Sequence, residues 1–212
     1  MEQLTRRERE KKVREEEIVA AAEKIFFEKG FHDTSMDEIA KASQFSKKTL
    51  YQYFLNKEDL YFTVAAREFK IVIAYFDKGL KKGRTGLEKV RSLSEAYYAY
   101  YKDFPQSFAL MNYCQFIQTP RENISHYNEI LELRKNLFKD FADVIDEGKA
   151  DGSIRKDLDT KETVSSLFML VTGFFSRFAE LRKASITLDA DEYERTILLA
   201  LDLIEHAIKA DK

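Results

Sequence analysis

The sequence predicts an all-α fold, and three observations predict it. Glycine (7) and proline (2) are scarce in 212 residues, so a β-sandwich would lack its turn residues. Hydrophobic residues make up 44% of the chain and charged residues 34%, and apolar positions recur at helical spacing rather than every second residue. Where that spacing breaks, capping residues stand at the breaks.

The same figures set outer limits. The length allows one domain or two small ones with a real core. No apolar run approaches the ~20 residues of a bilayer span, so no membrane partner is expected. The stretch MEQLTRREREKKVREEEIV is charged throughout, unlike a secretory signal. A single cysteine, Cys114, excludes an internal disulfide framework and fits a reducing cytoplasm, the expected location. It reads as a small buried hydrophobe.

The helices follow in order. Glu10 to Lys29 carries Val13, Ile18, Ala21, Ala22, Ile25 and Phe26 at helical spacing, and Gly30 stands where a left-handed cap would end it. Ser35 and Glu38 form a capping box that starts a second helix, with Met36, Ile39 and Ala40 on its apolar side. After a break at Ser43 to Phe45, Ser46 caps a third helix, Lys47 to Phe54. Asn56 caps a long helix to Lys78, with Glu58 and Asp59 in the first turn, where the helix dipole favours them. KGLKKGRTG breaks it and is the best joint between modules. Beyond it run Leu87–Phe104, Pro105–Ile117, Ile124–Gly148, Thr160–Lys183 and Ala190–Lys209, for about nine helices in all. No internal repeat or low-complexity tract appears.

The first three helices make a helix-turn-helix candidate. With Leu50 turned inward, Phe54 follows one turn later and Phe45 packs beneath, while Lys48 and Gln52 point away, flanked by Thr49 and Tyr51. An ammonium, an amide, a hydroxyl and a phenol suit phosphates and base edges in a major groove. KASQFSKKTLYQYFLNK, Lys41 to Lys57, holds four lysines and no carboxylate, as a surface facing phosphate requires. A basic cluster (Arg6, Arg7, Arg9, Lys11, Lys12, Arg14) could lie along a neighbouring groove. The alternative reading of both stretches is a solvated charged face, the second with Glu8, Glu10 and Glu15 to Glu17 as partners.

The run IVAAAEKIFFEKGFHDTSMDEIAKASQFSKKTLYQYFLNKEDLY closely resembles the DNA-binding head of the TetR family of bacterial transcriptional regulators. The resemblance rests on Ala22, Phe26, Gly30 and Phe31, on Thr34 to Ala40, and on Ser46 to Leu60. It covers about a quarter of the chain. It implies a recognition helix at Lys47–Tyr53 and phosphate contacts from Thr34, Ser46, Tyr51, Tyr53 and Lys57. Two positions depart from the family pattern. Gln44 replaces the usual turn glycine, at about 1 kcal/mol if its backbone is left-handed, and Lys48 stands where glycine is also frequent. The division that follows is a DNA-binding domain at 1–57 and a helical ligand-binding and dimerisation domain at 58–212.

In the second part, YYAYYKDFPQSFALMNYCQF is crowded with aromatic residues. Such a stripe reads as plain core, or as a cavity for a mostly apolar or aromatic ligand that uses the tyrosine hydroxyls. Family resemblance implies an effector site here, with Tyr97, Tyr101, Phe108 and Phe116 as wall candidates and Phe138, Phe141, Phe168, Met169 and Phe175 completing it. The last two helices are apolar over a wide arc and need more than one packing partner. The resemblance implies that they form a four-helix bundle with a second copy, through Phe174, Phe178, Leu198 and Leu201.

No glycine-rich phosphate loop, zinc spacing or Glu-x-x-His pair appears, and His32, His126 and His206 are far apart. Glu122, His126 and Glu129 can share a helix face, as can Asp202 and His206, but polar side chains satisfied at the surface explain both sets; no metal or cofactor is expected. The function expected is a DNA-binding regulator, a repressor that binds a palindromic operator as a homodimer and is released by a small apolar ligand. The alternative is a helical enzyme or carrier with an incidental basic head.

Overall fold

The structure, a computed structural model, describes residues 5–113, 125–183 and 190–211. Cys114, Phe116 and Glu122 lie outside the described residues, as does the side chain of His126. The described residues form nine helices: α1 (Arg6–Lys29), α2 (Met36–Ala42), α3 (Lys47–Leu50), α4 (Lys57–Leu80), α5 (Gly86–Asp103), α6 (Pro105–Tyr113), α7 (Ser125–Asp151), α8 (Thr160–Lys183) and α9 (Ala190–Ile208). The all-α expectation holds, with an isolated antiparallel bridge between Ile154 and Lys209 beside the helices. By contacts the chain divides into two compact units, Met1–Phe69 with Leu110–Glu132 and Lys70–Ala109 with Leu133–Lys212.

In the first unit, α1 starts earlier than its apolar spacing indicates. Thr5 Oγ1 accepts from Glu8 N at 3.3 Å while Glu8 accepts from Thr5 N at 2.8 Å, so a capping box holds a polar first turn. Gly30 ends α1 at φ 78°, ψ 179°, a positive φ that glycine adopts freely, and the chain leaves extended rather than curling into the left-handed turn expected. The box at Ser35 and Glu38 opens α2 as read from the sequence. Its C-terminus closes with Phe45 N on Ala40 O (3.0 Å) and Gln44 N on Lys41 O (3.3 Å). These two bonds make a Schellman cap, with Gln44 at φ 59° in the position that usually takes glycine. Helix α3 is shorter than expected, because Gln52 N turns back to Thr49 O and Tyr53 N to Leu50 O, both at 3.0 Å. These three-residue closures tighten the chain out of the α-helix before Phe54. Ile18, Ala22, Phe26, Ile39, Leu50, Phe54 and Leu60 form the shared core.

In the second unit, Thr85 and Glu88 cap α5, and Gly86 lets it approach α7. A Cβ on Gly86 would stand 2.2 Å from Gly148 Cα, closer than any side chain allows. Leu87, Val90, Val144, Ile145, Ile154, Val164 and Ile208 close one core cluster. A second centre is aromatic. Phe175, fully buried, meets Tyr97, Tyr98, Tyr101 and Phe108 at ring distances of 5.4, 5.9, 5.3 and 6.3 Å.

Candidate nucleic-acid interface

Ser46 builds the outward face of the head from below. Its Oγ accepts the Thr49 N–H at 3.1 Å and shares a hydrogen bond of 2.8 Å with Thr49 Oγ1, which caps α3 on the side away from the core. Leu50 and Phe54 are buried and set the rotation of the segment. The opposite side therefore shows Ser46, Lys47, Lys48, Tyr51 and Gln52, all exposed, with Thr49 and Tyr53 half-buried at its edges. This is the face that helical spacing alone assigns. Lys47 bonds Asp37 of α2 at 2.7 Å, and that hydrogen bond raises its pKa. Lys48 makes no ion pair among the described residues and is the uncommitted cation of the face.

Two residues assigned to phosphate on resemblance are used elsewhere. Thr34 is buried, 2% exposed, and its hydroxyl donates to Gly30 O at 2.6 Å. Lys57 donates to Phe31 O and Thr34 O, each at 2.8 Å, and its ammonium stands 4.3 Å from the centre of the Phe31 ring. Both side chains hold the α1–α2 loop together, Lys57 with a third, longer bond of 3.4 Å to His32 O, so their donors are turned to the loop and not to a duplex. Glu38 binds the same end of the head. The Lys29 ammonium hydrogen-bonds its carboxylate, with help from Ser35, and pulls its pKa down to about 2.

A cavity of about 70 Å³ lies in the second unit among α4, α5, α7 and α8. Its walls include Phe76, Leu93, Tyr97, Phe141, Val164 and Phe168. Of the wall candidates, Tyr97, Phe141 and Phe168 line it. Tyr101 and Phe108 do not: both are buried, Tyr101 hydrogen-bonds Tyr193 at 2.6 Å, and Phe108 packs edge-on against Tyr101. Phe175 is solid core as well, and Met169 is exposed. The sequence reading missed Phe76, Val90, Leu93, Val144, Ile145 and Val164 as lining residues, since their apolar spacing signals burial and says nothing of a void. Two hydroxyls of the lining return to their own helices, Ser94 to Val90 O (3.1 Å) and Thr172 to Phe168 O (2.6 Å). The Tyr97 hydroxyl donates to no group among the described residues, and burial raises its pKa.

On α8 and α9, Met169, Leu170, Leu198, Leu199 and Leu203 are exposed, which is costly for so much hydrocarbon on two neighbouring helices of one chain. Leu198 is thus among the exposed residues, and Leu201 lines a groove between α5 and α9. Phe178 departs from expectation. It is 6% exposed and packs at 4.5 Å against both Phe174 and Tyr193 of its own chain. Phe174 is half-buried in the same cluster.

Among the described residues no group of three or more His, Cys, Asp or Glu could hold a metal ion, and no helix is long and apolar enough to cross a membrane. His32 meets Tyr113 through its ring nitrogen.

A sequence profile described as bacterial regulatory proteins, tetR family, matches residues 18–64, from the middle of α1 into α4. The HTH-type transcriptional activator FasR of Mycolicibacterium smegmatis is 27% identical over 105 residues, 50% of this chain and 48% of that protein. The chain thus matches about half the length of that relative. The biofilm operon icaADBC HTH-type negative transcriptional regulator IcaR of Staphylococcus aureus is 26% identical over 136 residues, 63% of this chain and 70% of that one. Among solved structures, the transcriptional regulator FadR from Bacillus subtilis in complex with stearoyl-CoA superposes with a TM-score of 0.70 at 20% identity, over 91% of this chain and 98% of that one. At such identity the superposition speaks for the fold. Profile, relatives and fold agree with the exposed face of α3: residues 18–64 match the DNA-binding head of the tetR family, and the chain is similar to transcriptional regulators that carry such a head.

Proposed function

We propose that the protein is a repressor that binds a near-palindromic operator as a twofold dimer and is released by a small, hydrocarbon-rich ligand. The observation that carries the proposal is the α3 face, where buried Leu50 and Phe54 aim Lys48 and Gln52 outward without a carboxylate between them. Residues 1–57 act as the DNA-binding domain and residues 58–212 as the ligand-binding and dimerisation domain. Lys48 and Gln52 reach base edges, while Ser46, Lys47, Thr49, Tyr51 and Tyr53 seat the helix on the backbone. The exposed leucines of α8 and α9 supply the surface for a second copy, which sets two heads about 34 Å apart on successive major grooves. IcaR is a negative transcriptional regulator, a role that fits a protein acting by occupying its site.

The cavity supports the ligand class. Its walls are hydrocarbon, and the Tyr97 hydroxyl is left to meet one polar atom, which suits an acyl chain with a carbonyl or a comparable neutral molecule. Stearoyl-CoA, present in the Bacillus FadR structure, carries such an acyl chain and carbonyl on a larger charged carrier. A ligand releases DNA only as far as it prefers the released conformation: ~100-fold preference supplies under 3 kcal/mol per site. Helix α4 is continuous from Lys57 to Leu80, so it is the covalent route by which the cavity residue Phe76 reaches the head.

The test is selection of preferred duplexes from a random library, followed by release of the winner with a panel of fatty acyl thioesters, fatty acids and aromatic hydrocarbons. A preferred palindromic site, lost with one compound class, supports the proposal. Equal binding to every duplex refutes the repressor reading, and a selected site that no compound releases refutes the ligand. Tyr97→Phe should weaken response to the effective compound about tenfold, the worth of one hydrogen bond, without changing operator affinity in its absence.

A further inference from the structure

The first three turns of α1 bury nothing. Every residue from Thr5 to Arg14 is exposed, including Val13 at 55%, and the first buried residue of the helix is Ile18. A helical end without packing is marginal in water unless something local holds it. Here the capping box of Thr5 and Glu8 holds it, aided by the Arg6–Glu10 ion pair at 2.9 Å. Those contacts occupy both acids of the segment. Arg7, Arg9, Lys11, Lys12 and Arg14 make no ion pair among the described residues. The result is a preformed helical arm with five uncommitted cations on a chain whose net charge is -2.

The cations are not scattered evenly. Arg7, Lys11 and Arg14 are spaced i, i+4, i+7 and share one stripe, and the same stripe continues into Ile18 and Ala22, the buried line of α1. The arm therefore carries this charge on the side by which α1 joins the head, just past the edge of the core. Arg7 to Arg14 spans about 10 Å of helix, and duplex phosphates recur about every 3.4 Å of axis along one strand, so three cations match about three phosphates.

We infer that this arm is a second DNA element: Arg7, Lys11 and Arg14 bind the sugar-phosphate backbone of the duplex flanking each half-site. They add affinity and carry no base preference, because phosphates are alike in every sequence. The inference rests on the reading of the head as the DNA-binding element. It assigns a partner to charges that neither the α3 face nor the core uses.

The experiment uses the full chain, the triple variant Arg7→Ala/Lys11→Ala/Arg14→Ala, and the charge-keeping variant Arg7→Lys/Lys11→Arg/Arg14→Lys. The probe is the duplex selected by the wild type, made once at the length of the selected sequence and once with about ten added base pairs, one helical turn, on each side. On the long duplex the triple variant should bind at least tenfold more weakly with unchanged base preference. Its salt slope should be shallower by about 2 to 3 units per head, while the charge-keeping variant behaves as wild type. On the short duplex the three proteins should converge. Unchanged unfolding midpoints are expected, since the arm buries nothing. Equal affinity and slope on the long duplex overturn the inference while leaving the head reading intact. A wild type that selects no duplex removes both. Arm-dependent binding to anionic phospholipid vesicles, with DNA binding unaffected, also overturns it in favour of a lipid surface.

Discussion

The Lys57 ammonium donates to the Thr34 carbonyl at 2.8 Å, tying the first residue of α4 to the loop before α2. With Phe31 O taking a second bond at 2.8 Å, the lysine fastens the ends of the head together from inside. Lys57→Ala leaves two carbonyls of the loop without this charged donor, and hydrogen bonds to charged groups are worth about 1.5–3 kcal/mol. The variant should lose about that much stability in chemical denaturation. Its salt slope of DNA binding should match the wild type once both are folded. A flatter slope at unchanged stability would return Lys57 to the phosphate backbone.

Gln44 sits at φ 59° in the cap of α2, a conformation in which a side chain costs about 1–2 kcal/mol. Glycine removes that strain but adds freedom to the unfolded chain, so Gln44→Gly should stabilise by about 0.5–1 kcal/mol. A β-branched residue crowds the same backbone further, and Gln44→Val should destabilise. Denaturant midpoints at constant slope decide both.

Acid should loosen the head through Glu38. Its carboxyl is held at about 2 against an ordinary 4.5, chiefly by the Lys29 hydrogen bond and then by Ser35. The sign follows from linkage: a group with a depressed folded pKa stabilises fully above 4.5 and loses that contribution as the pH falls toward 2. Other carboxyls, Glu8 and Asp157 among them, are also held below their usual values by hydrogen bonds, so the informative quantity is a difference. The stability gap between wild type and Glu38→Gln should be constant above pH 5 and close between about pH 4.5 and 2. A gap that does not narrow would mean the ion pair contributes nothing.

What was legible in the sequence was mostly local. Capping boxes at Ser35, the rotation of α3 about Leu50 and the left-handed Gln44 follow from neighbours a few residues away, and local rules reach that far. Resemblance supplied positions for Thr34 and Lys57 but not their partners, which lie across the loop closure and come from tertiary packing. Aromatic spacing identified Tyr97, Tyr101 and Phe108 alike as inward-facing. Only packing separates Tyr97, beside a cavity, from Tyr101, closed off by Tyr193. The wide apolar arcs of α8 and α9 were likewise readable, yet periodicity cannot say which residues the chain covers itself.

That last distinction makes the interface testable. Phe178 is covered by Phe174 and Tyr193, whereas Leu203 is 62% exposed and Leu198 51%. Phe178→Ala removes a buried ring, and such truncations cost about 3–5 kcal/mol, so it should lower the unfolding midpoint sharply. Leu198→Glu and Leu203→Glu place charge on a surface that is open in the single chain. They should leave its helix content intact and abolish the second copy, because a buried unpaired carboxylate at an interface costs several kcal/mol. Sedimentation should then show a monomer for both leucine variants at concentrations where the wild type is a dimer. Operator affinity should fall with the loss of the second head, while the Phe178→Ala protein that remains folded should still pair. Wild-type monomers at micromolar concentration, or leucine variants that sediment as dimers, would move the interface off this face.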